Sequence, residues 1–158
     1  MGLGAVSHDN KNFLGMLGMH GTYEANLAMH NCDLLVNVGA RFDDRVTGRL
    51  DAFSPNSKKI HIDIDPSSIN KIVQVDLPLI GDVKEVLKGV YNELKKRKIK
   101  TLSLNKWWSE INKWKEKKSL AYSIDEVVIK PQYAIERLYK LTKSFEPFVT
   151  TEVGQHQM

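Results

Sequence analysis

An α/β fold built on a parallel sheet is predicted by two features that recur along the chain of 158 residues. Short apolar runs of strand length, of which residues 34–38 are the clearest, end in glycine or in acidic residues. Such runs are typical of buried parallel strands that lead into loops. The segments between them carry apolar residues at helical spacing, as amphipathic helices do. We therefore expect a Rossmann-like, doubly wound parallel sheet with flanking helices.

Composition and charge narrow the class of protein. The chain has a hydrophobic content of 42%, which is enough for a packed core, and a net charge of +4. It shows neither an apolar run long enough for a bilayer nor a signal-peptide pattern, and its one cysteine, Cys32, fits a reducing, cytoplasmic setting. Basic residues cluster at 95–100 and 113–118. Because they segregate from apolar positions at helical spacing, they favour a solvated helix face over a nucleic-acid-binding surface.

The first part of the chain is rich in glycine. Gly2 and Gly4 suit a tight turn, and residues 15–21, GMLGMHG, form a second glycine-rich segment, here called the glycine loop. Thr22 is predicted to cap a helix that runs through about His30. A glycine-rich loop that opens a helix offers free backbone N–H groups to an anion or a cofactor.

The segment after the first strand, GARFDDRVTG at residues 39–48, is here called the arginine loop and is the main candidate for a binding site. Ligands of open α/β sheets bind at the carboxyl ends of the strands. Arg41 and Arg45 carry permanently charged guanidinium forks that suit phosphate, while Asp43 and Asp44 can orient them or accept bonds from a ligand. The alternative is a solvated surface loop, but the flanking glycines and the strand-end position favour binding.

The next strand is predicted at residues 59–65, KIHIDID, with its isoleucines on one face. Asp63 follows the arginine loop by about 20 residues, and in dinucleotide-binding folds an acidic residue at such a place accepts a bond from a ribose hydroxyl. On the residues alone, a turn-capping role for Asp63 beside Pro66 fits equally well.

A short helix is expected at residues 69–73, followed by a short strand at 77–81 that Pro78 assigns to a sheet edge or a strand start. Asp82 is then a helix N-cap, with Glu85 three residues later as in a capping box. The buried side of this helix is predicted to carry Val83, Val86, Leu87, Val90 and Leu94.

The rest of the chain is predicted to contain two more helices. The first helix is predicted to carry a core or interface stripe, which consists of Leu104, Trp107, Trp108, Ile111 and Trp114. A loose connection leads to Pro131, which suits the first turn of the second helix. The buried side of that helix is expected to carry Ile135, Leu138, Tyr139 and Leu141. Residues 148–151 are predicted to form a further strand.

GARFDDRVTG resembles the flavin-binding segment of the acetolactate synthases, which are thiamine-diphosphate enzymes of branched-chain amino-acid biosynthesis. The resemblance extends over residues 1–48 and continues in IHIDIDPSSINK at 60–71 and TEVGQHQM at 151–158. It covers most of the chain and is weakest at about residues 95–130. It implies a central flavin-binding domain at 1–120 that lacks its first strand and helix, a linker at 121–130, and at 131–158 the start of a second α/β domain, which binds thiamine diphosphate.

The resemblance also implies which residues contact the cofactors. Those expected to contact flavin adenine dinucleotide (FAD) are Met19, His20, Gly21, Gly39, Ala40, Arg41, Asp43, Arg45, Val46, Asp63, Ile64, Gly81, Asp82 and Val83. Those expected at one edge of thiamine diphosphate are Val153, Gly154, Gln155 and His156. The catalytic glutamate and the ligands of Mg²⁺ are expected outside the chain, so no catalytic or metal-binding residue is assigned within it.

The activity implied by the resemblance is decarboxylation of pyruvate and condensation of the two-carbon unit with pyruvate or 2-oxobutyrate, with thiamine diphosphate as the electron sink. The flavin of this family is largely structural. The implied partners are further copies of the full-length subunit in a homodimer or tetramer, a regulatory small subunit and small 2-oxo acids, without nucleic acid or membrane. The implied location is the cytoplasm, or the plastid stroma in a photosynthetic source, and the chain alone is expected to be inactive.

Two alternative functions remain open. The chain could be part of another carboligase or pyruvate oxidase that uses FAD and thiamine diphosphate. It could also be a stand-alone nucleotide-binding module without catalysis, although a missing first strand would leave an open sheet edge, which folded proteins usually protect.

Overall fold

The computed structural model describes residues 2, 4–97, 99, 102–152 and 154, which divide into two compact units, Met1–Lys117 and Lys118–Met158. The first unit contains α1 (Tyr23–Asn31), β1 (Leu34–Val38), α2 (Asp44–Thr47), β2 (Lys58–Asp63), β3 (Leu77–Ile80), α3 (Val83–Lys96) and α4 (Asn105–Lys115). The second unit contains α5 (Pro131–Thr142). Short 3₁₀ turns lie at Leu50–Ala52, Pro66–Ser68 and Lys143–Phe145.

The three strands form a parallel sheet in the order β1-β2-β3. Past the strand ends, the N–H of Gly39 donates to the carbonyl of Ile62 at 2.8 Å, and the N–H of Gly81 donates to that of Asp63 at 2.9 Å. The carboxyl ends of all three strands therefore meet at one edge of the sheet. The predicted α/β fold with a parallel sheet and flanking helices is confirmed, and Pro78 lies on an edge strand as expected.

The hydrophobic core lies on the sheet face that carries Leu35. Its buried members are Phe42, Phe53 and Val73, and partly buried side chains of Met29, Leu35, Val46 and Val75 pack around them. The rings of Phe42 and Phe53 meet edge-on with their centroids 5.8 Å apart. One of the two phenylalanines thus comes from the arginine loop, which ties the position of that loop to the packing of the core.

Helix starts agree with the predicted capping chemistry. The hydroxyl of Thr22 accepts the N–H of Ala25 at 3.2 Å, and the carboxylate of Asp82 accepts the N–H groups of Lys84 and Glu85. Pro131 occupies the first turn of α5. The bonds at α1 and α3 satisfy donors that a helix start leaves free, and the proline at α5 has no such donor to satisfy. Local sequence alone was therefore enough to place the three helix starts.

Helix α4 packs against α1 and buries the centre of its predicted stripe. Ile111 is 1% exposed, and the rings of Trp107 and Trp114 meet edge-on at 5.7 Å. Leu104, which precedes the helix, is exposed. The inward orientation predicted for the stripe is confirmed at Ile111 and holds in part for the half-buried tryptophans.

Burial is lower than predicted on the second face of the sheet and along α3. Leu34, Val36 and Val38 of β1 are about half exposed, so the prediction of a buried strand is wrong for this face. The reason is that β1 lies at an edge and α3 packs chiefly on β2. Leu87, Val90 and Leu94 in α3 are likewise exposed. Of the residues predicted to be buried in this helix, only Val83 and Val86, near its start, are partly buried.

Four further predictions are corrected. Residues 69–73 are not helical, because a 3₁₀ turn ends at Ser68 and Asn70 adopts a left-handed φ of 57° that an α-helix cannot contain. Ile64 lies beyond the end of β2 and is exposed instead of sharing the face of Ile62. The side of α5 predicted to be buried is exposed throughout, since α5 packs chiefly on the short turn Lys143–Phe145 that directly follows it. Residues 148–151 form no strand, because they have no strand partner among the described residues.

No helix in the described part of the chain is long and apolar enough to cross a membrane.

The domain boundaries at 120 and 130 stay predictions.

Candidate functional site

The arginine loop begins where β1 ends and presents its charged side chains to solvent. The guanidinium of Arg41 donates to the carboxylate of Asp43 at 3.2 Å, and that of Arg45 lies 3.6 Å from Asp44. All four side chains are at least half exposed. Ion pairs of this kind contribute only about 0–1 kcal/mol, so a phosphate group can replace either carboxylate at little cost.

The glycine loop packs directly on the arginine loop. The N–H of Met19 donates to the carbonyl of Arg45 at 2.7 Å. Gly18 has a φ of +96°, and a Cβ there would lie 2.6 Å from the same carbonyl oxygen, which no other residue could tolerate. The two segments that sequence patterns singled out separately therefore form one backbone surface, although nothing in their spacing indicates that they touch.

Asn26 holds the glycine loop in this position, and the sequence prediction missed it. Its side-chain amide accepts the N–H of Gly18 at 2.7 Å and donates to the carbonyl of Gly18 at 2.9 Å. The available signal was a polar residue one turn into a helix, at the position next to the buried Ala25.

A cleft of about 860 Å³ lies between the N-terminal segment and the end of β1. Its lining includes Phe13, Leu17, Val36 and Phe42, so it is largely apolar. The volume is within the range of small-molecule and cofactor sites. Of the residues predicted to contact the flavin, the cleft is lined by Ala40, Arg41, Asp43 and Val46.

Other predicted residues lie beside the cleft or away from it. Gly21 packs closely on Leu17, and a Cβ there would lie 2.5 Å from the Cα of Leu17. Met19 is largely exposed and His20 is partly buried. The structure thus gives Gly21 a packing role within the glycine loop, and the flavin contacts of these three residues stay predictions.

Asp63, Ile64 and Gly81–Val83 complete the predicted set at the ends of β2 and β3. The buried carboxylate of Asp63 accepts a hydrogen bond from the N–H of Asp65 at 2.9 Å. Asp63 therefore caps a turn, which is one of the two roles that the sequence left open. Asp82 caps α3, and Val83 approaches Gly39, whose added Cβ would meet its methyl group at 4.0 Å. These residues follow the same sheet edge as the arginine loop but do not line the cleft.

Of the second unit's predicted cofactor contacts, only one lies among the described residues. Gly154, predicted to contact thiamine diphosphate, is partly buried, whereas Val153, Gln155 and His156 lie outside the described residues. Among the residues that the structure does describe, no group of three or more His, Cys, Asp or Glu side chains could hold a metal ion.

Fold and site together define a class of protein: an α/β domain with a parallel sheet, whose first strand ends in an arginine-rich loop beside a large apolar cleft. The family model for the thiamine pyrophosphate enzyme central domain matches residues 1–90, and the chain belongs to this family.

Curated relatives give a finer comparison. Over its whole length the chain is 52% identical to the acetolactate synthase large subunit of Haemophilus influenzae and 46% identical to the acetolactate synthase isozyme 3 large subunit of Escherichia coli. It is 45% identical to the chloroplastic acetolactate synthase 2 of Zea mays. The chain spans 28%, 28% and 25% of the lengths of these proteins. The resemblance to acetolactate synthase stated from the motifs is confirmed.

Proposed function

We propose that the chain is the FAD-binding central part of an acetolactate synthase large subunit. The observation that carries the proposal is the packing of the glycine loop on the arginine loop beside a cleft of about 860 Å³. The identity of 52% to the Haemophilus influenzae relative supports the particular enzyme.

The residues at the cleft fit the parts of FAD. Arg41 offers an exposed, permanently charged fork to the diphosphate, and Arg45 lies four residues further along the chain. The Cβ-free backbone at Gly18 allows the two loops to approach each other closely, while Val46 and the apolar cleft wall suit the uncharged part of a flavin. Asp63 is proposed to face the ribose through the carboxylate oxygen that does not cap the turn.

In this assignment the chain binds and orients cofactors and excludes water from them, and it carries no reacting group of its own. Thiamine diphosphate, when bound, supplies an electron sink for decarboxylation of a 2-oxo acid and condensation with a second one. Residues 153–156 are proposed to contact one edge of its diphosphate, with the Mg²⁺ ligands supplied from elsewhere in the protein.

The proposed assembly is a homodimer or tetramer of the large subunit, joined by a regulatory small subunit. The proposed location is the cytoplasm, or the plastid stroma if the source is photosynthetic, in keeping with the chloroplastic relative of Zea mays. The proposed substrates are pyruvate and 2-oxobutyrate.

A second candidate is another carboligase or pyruvate oxidase that uses FAD and thiamine diphosphate. The family match favours it as much as the first candidate, because the matching model describes thiamine pyrophosphate enzymes in general. The names of the relatives favour acetolactate synthase. No specific observation favours a stand-alone nucleotide-binding module.

A chimeric enzyme tests the proposal. In the Haemophilus influenzae relative, the segment of about 159 aligned residues is replaced by this chain, and acetolactate formation from pyruvate is measured with thiamine diphosphate, Mg²⁺ and FAD. We expect the chimera to form acetolactate, and we expect the chain alone, as the matched control, to form none. A chimera that folds and binds both cofactors but converts pyruvate to another product would favour the second candidate.

A further inference from the structure

We propose that His61 and Asn37 are positioning residues that lock the arginine loop in its ligand-binding shape. Both side chains hydrogen-bond the carbonyl of Ala40, His61 also packs on the ring of Phe42, and neither residue belongs to the set that sequence patterns assigned to the site. The consequence for FAD affinity rests on the proposed function, whereas the consequence for the loop itself does not.

Two strands converge on one carbonyl group. The side-chain amide of Asn37 donates to the carbonyl oxygen of Ala40 at 2.6 Å, and Nε2 of His61 lies 2.9 Å from the same oxygen. Asn37 and His61 are paired in the parallel register of β1 and β2, so their side chains share one face of the sheet. The peptide group between Ala40 and Arg41 is thereby fixed from both strands.

The same histidine also holds the residue on the far side of Arg41. Phe42 is buried and adopts a left-handed φ of 57°, which a bulky side chain rarely does unless its surroundings enforce it. Its ring packs edge-on against the ring of His61, with centroids 5.0 Å apart and an interplanar angle of 77°. Arg41 itself remains 73% exposed at its side chain. Its backbone is therefore held on both sides while its guanidinium is left free to meet a ligand.

The chemistry of the ring explains why histidine serves here. A carbonyl oxygen only accepts, so Nε2 of His61 carries the hydrogen, in agreement with the carboxylate oxygen of Asp63 at 3.5 Å. Nδ1 is then buried without a hydrogen-bond partner among the described residues, which is unfavourable. Phenylalanine would avoid this cost and keep the contact with Phe42. The bond from Nε2 to Ala40 is thus the feature that distinguishes histidine from an apolar ring at this position.

The test compares His61→Phe, which keeps a ring but loses the donor, with His61→Gln, which keeps a donor near the position of Nε2. Ile62→Val is the matched control, since Ile62 is buried in the same strand on the opposite face. Hydrogen exchange of the full chain is followed at the amides of Val46, Thr47 and Gly48, which are hydrogen-bonded within the arginine loop. FAD affinity of the same proteins is measured by quenching of flavin fluorescence.

We expect His61→Phe to speed exchange at these amides by about tenfold or more and to weaken FAD binding by a similar factor, as loss of a buried hydrogen bond does. The exchange rates and FAD affinities of His61→Gln and Ile62→Val should stay within about threefold of the wild-type values. This is a smaller change than we expect from the loss of a buried hydrogen bond. Unchanged exchange in His61→Phe, or equal acceleration in His61→Phe and His61→Gln, would overturn the positioning role. If the wild type does not bind FAD, the proposed function fails, but the exchange rates still decide whether His61 locks the loop.

Discussion

At the scale of single residues, Phe42 joins the site to the core. Its ring contacts both Phe53 and His61, and its side chain is nearly inaccessible. We predict that Phe42→Ala lowers the free energy of unfolding by about 3–5 kcal/mol, because truncation of a buried phenylalanine loses both transfer free energy and packing. Urea-induced unfolding followed by tryptophan fluorescence measures the change.

Phe145 provides the matched control for that substitution. It is 79% exposed, so Phe145→Ala should change the free energy of unfolding by about 0.5 kcal/mol or less. Equal effects of the two substitutions would show that the core does not depend on the arginine loop.

Sequence reasoning succeeded at residues whose role depends on near neighbours in the chain. Thr22 and Asp82 cap helices because a side-chain oxygen reaches donors two or three residues away. His61 and Asn37 could not be found in this way, since they meet only through the register of two strands. A polar residue in the middle of the apolar run Ile60–Ile62 was the only local signal for His61.

At the scale of elements, Asp76 pins the start of the pairing between β2 and β3. Its carboxylate accepts hydrogen bonds from the ammonium group of Lys58 at 2.9 Å and from the backbone N–H of Lys59 at 2.8 Å. The hydrogen bond from Lys58 is the main cause that lowers the pKa of Asp76 below its ordinary value, and the bond from Lys59 adds to it. A lowered pKa in the folded state stabilises the fold above the pKa of the unfolded state, and this contribution is lost as the pH falls through the folded value.

Asp76→Asn should therefore show a pH-dependent difference from the wild type. We expect the variant to be less stable at pH 7, and we expect the gap to narrow below about pH 4, where the unfolded carboxyl begins to bind a proton. Urea unfolding of both proteins at several pH values between 7 and 3 measures the gap. A gap that stays constant over this range would show that the charge of Asp76 plays no part in strand pairing.

Two helices with similar apolar stripes are expected to respond differently to truncation. Ile111 in α4 is buried, so Ile111→Ala should lower the free energy of unfolding by about 2–5 kcal/mol. Leu87 in α3 is 43% exposed, so Leu87→Ala should cost about 1 kcal/mol or less. Thermal unfolding of the two variants, measured side by side, checks this ranking. A larger loss of stability in Leu87→Ala than in Ile111→Ala would contradict it.

The stripes show what periodicity can and cannot predict about an element. Helical spacing identified α3, α4 and α5 and the face that each would bury. It does not indicate how much of that face another element covers. Helix α4 packs against α1 and buries Ile111, whereas the stripe of α3 stays mostly exposed although α3 packs on β2. The failed strand at 148–151 has the same cause, because a strand needs a neighbour to satisfy its backbone groups.

At the scale of the whole molecule, the parallel sheet explains why distant motifs lie along one edge of the fold. β1, β2 and β3 all end at the same edge, so the arginine loop, Asp63 and Gly81 are neighbours although they are far apart in the sequence. The sequence predicted this convergence through the fold class. It did not predict the contact of Met19 with Arg45, because two irregular loops carry no periodicity from which their packing can be derived.

The measurement that tests the central claim most directly is an equilibrium titration of the protein with FAD, followed by quenching of flavin fluorescence. It compares the wild type with Arg41→Ala and with Arg49→Ala, whose side chain is 80% exposed, pairs with Asp51 and does not line the cleft. We predict saturable binding by the wild type and by Arg49→Ala. Arg41→Ala should lose about 2–5 kcal/mol of binding free energy, as a charge pair does when the ligand buries it and one partner is truncated. Equal affinity of Arg41→Ala and the wild type would contradict the assignment of the arginine loop to the flavin site.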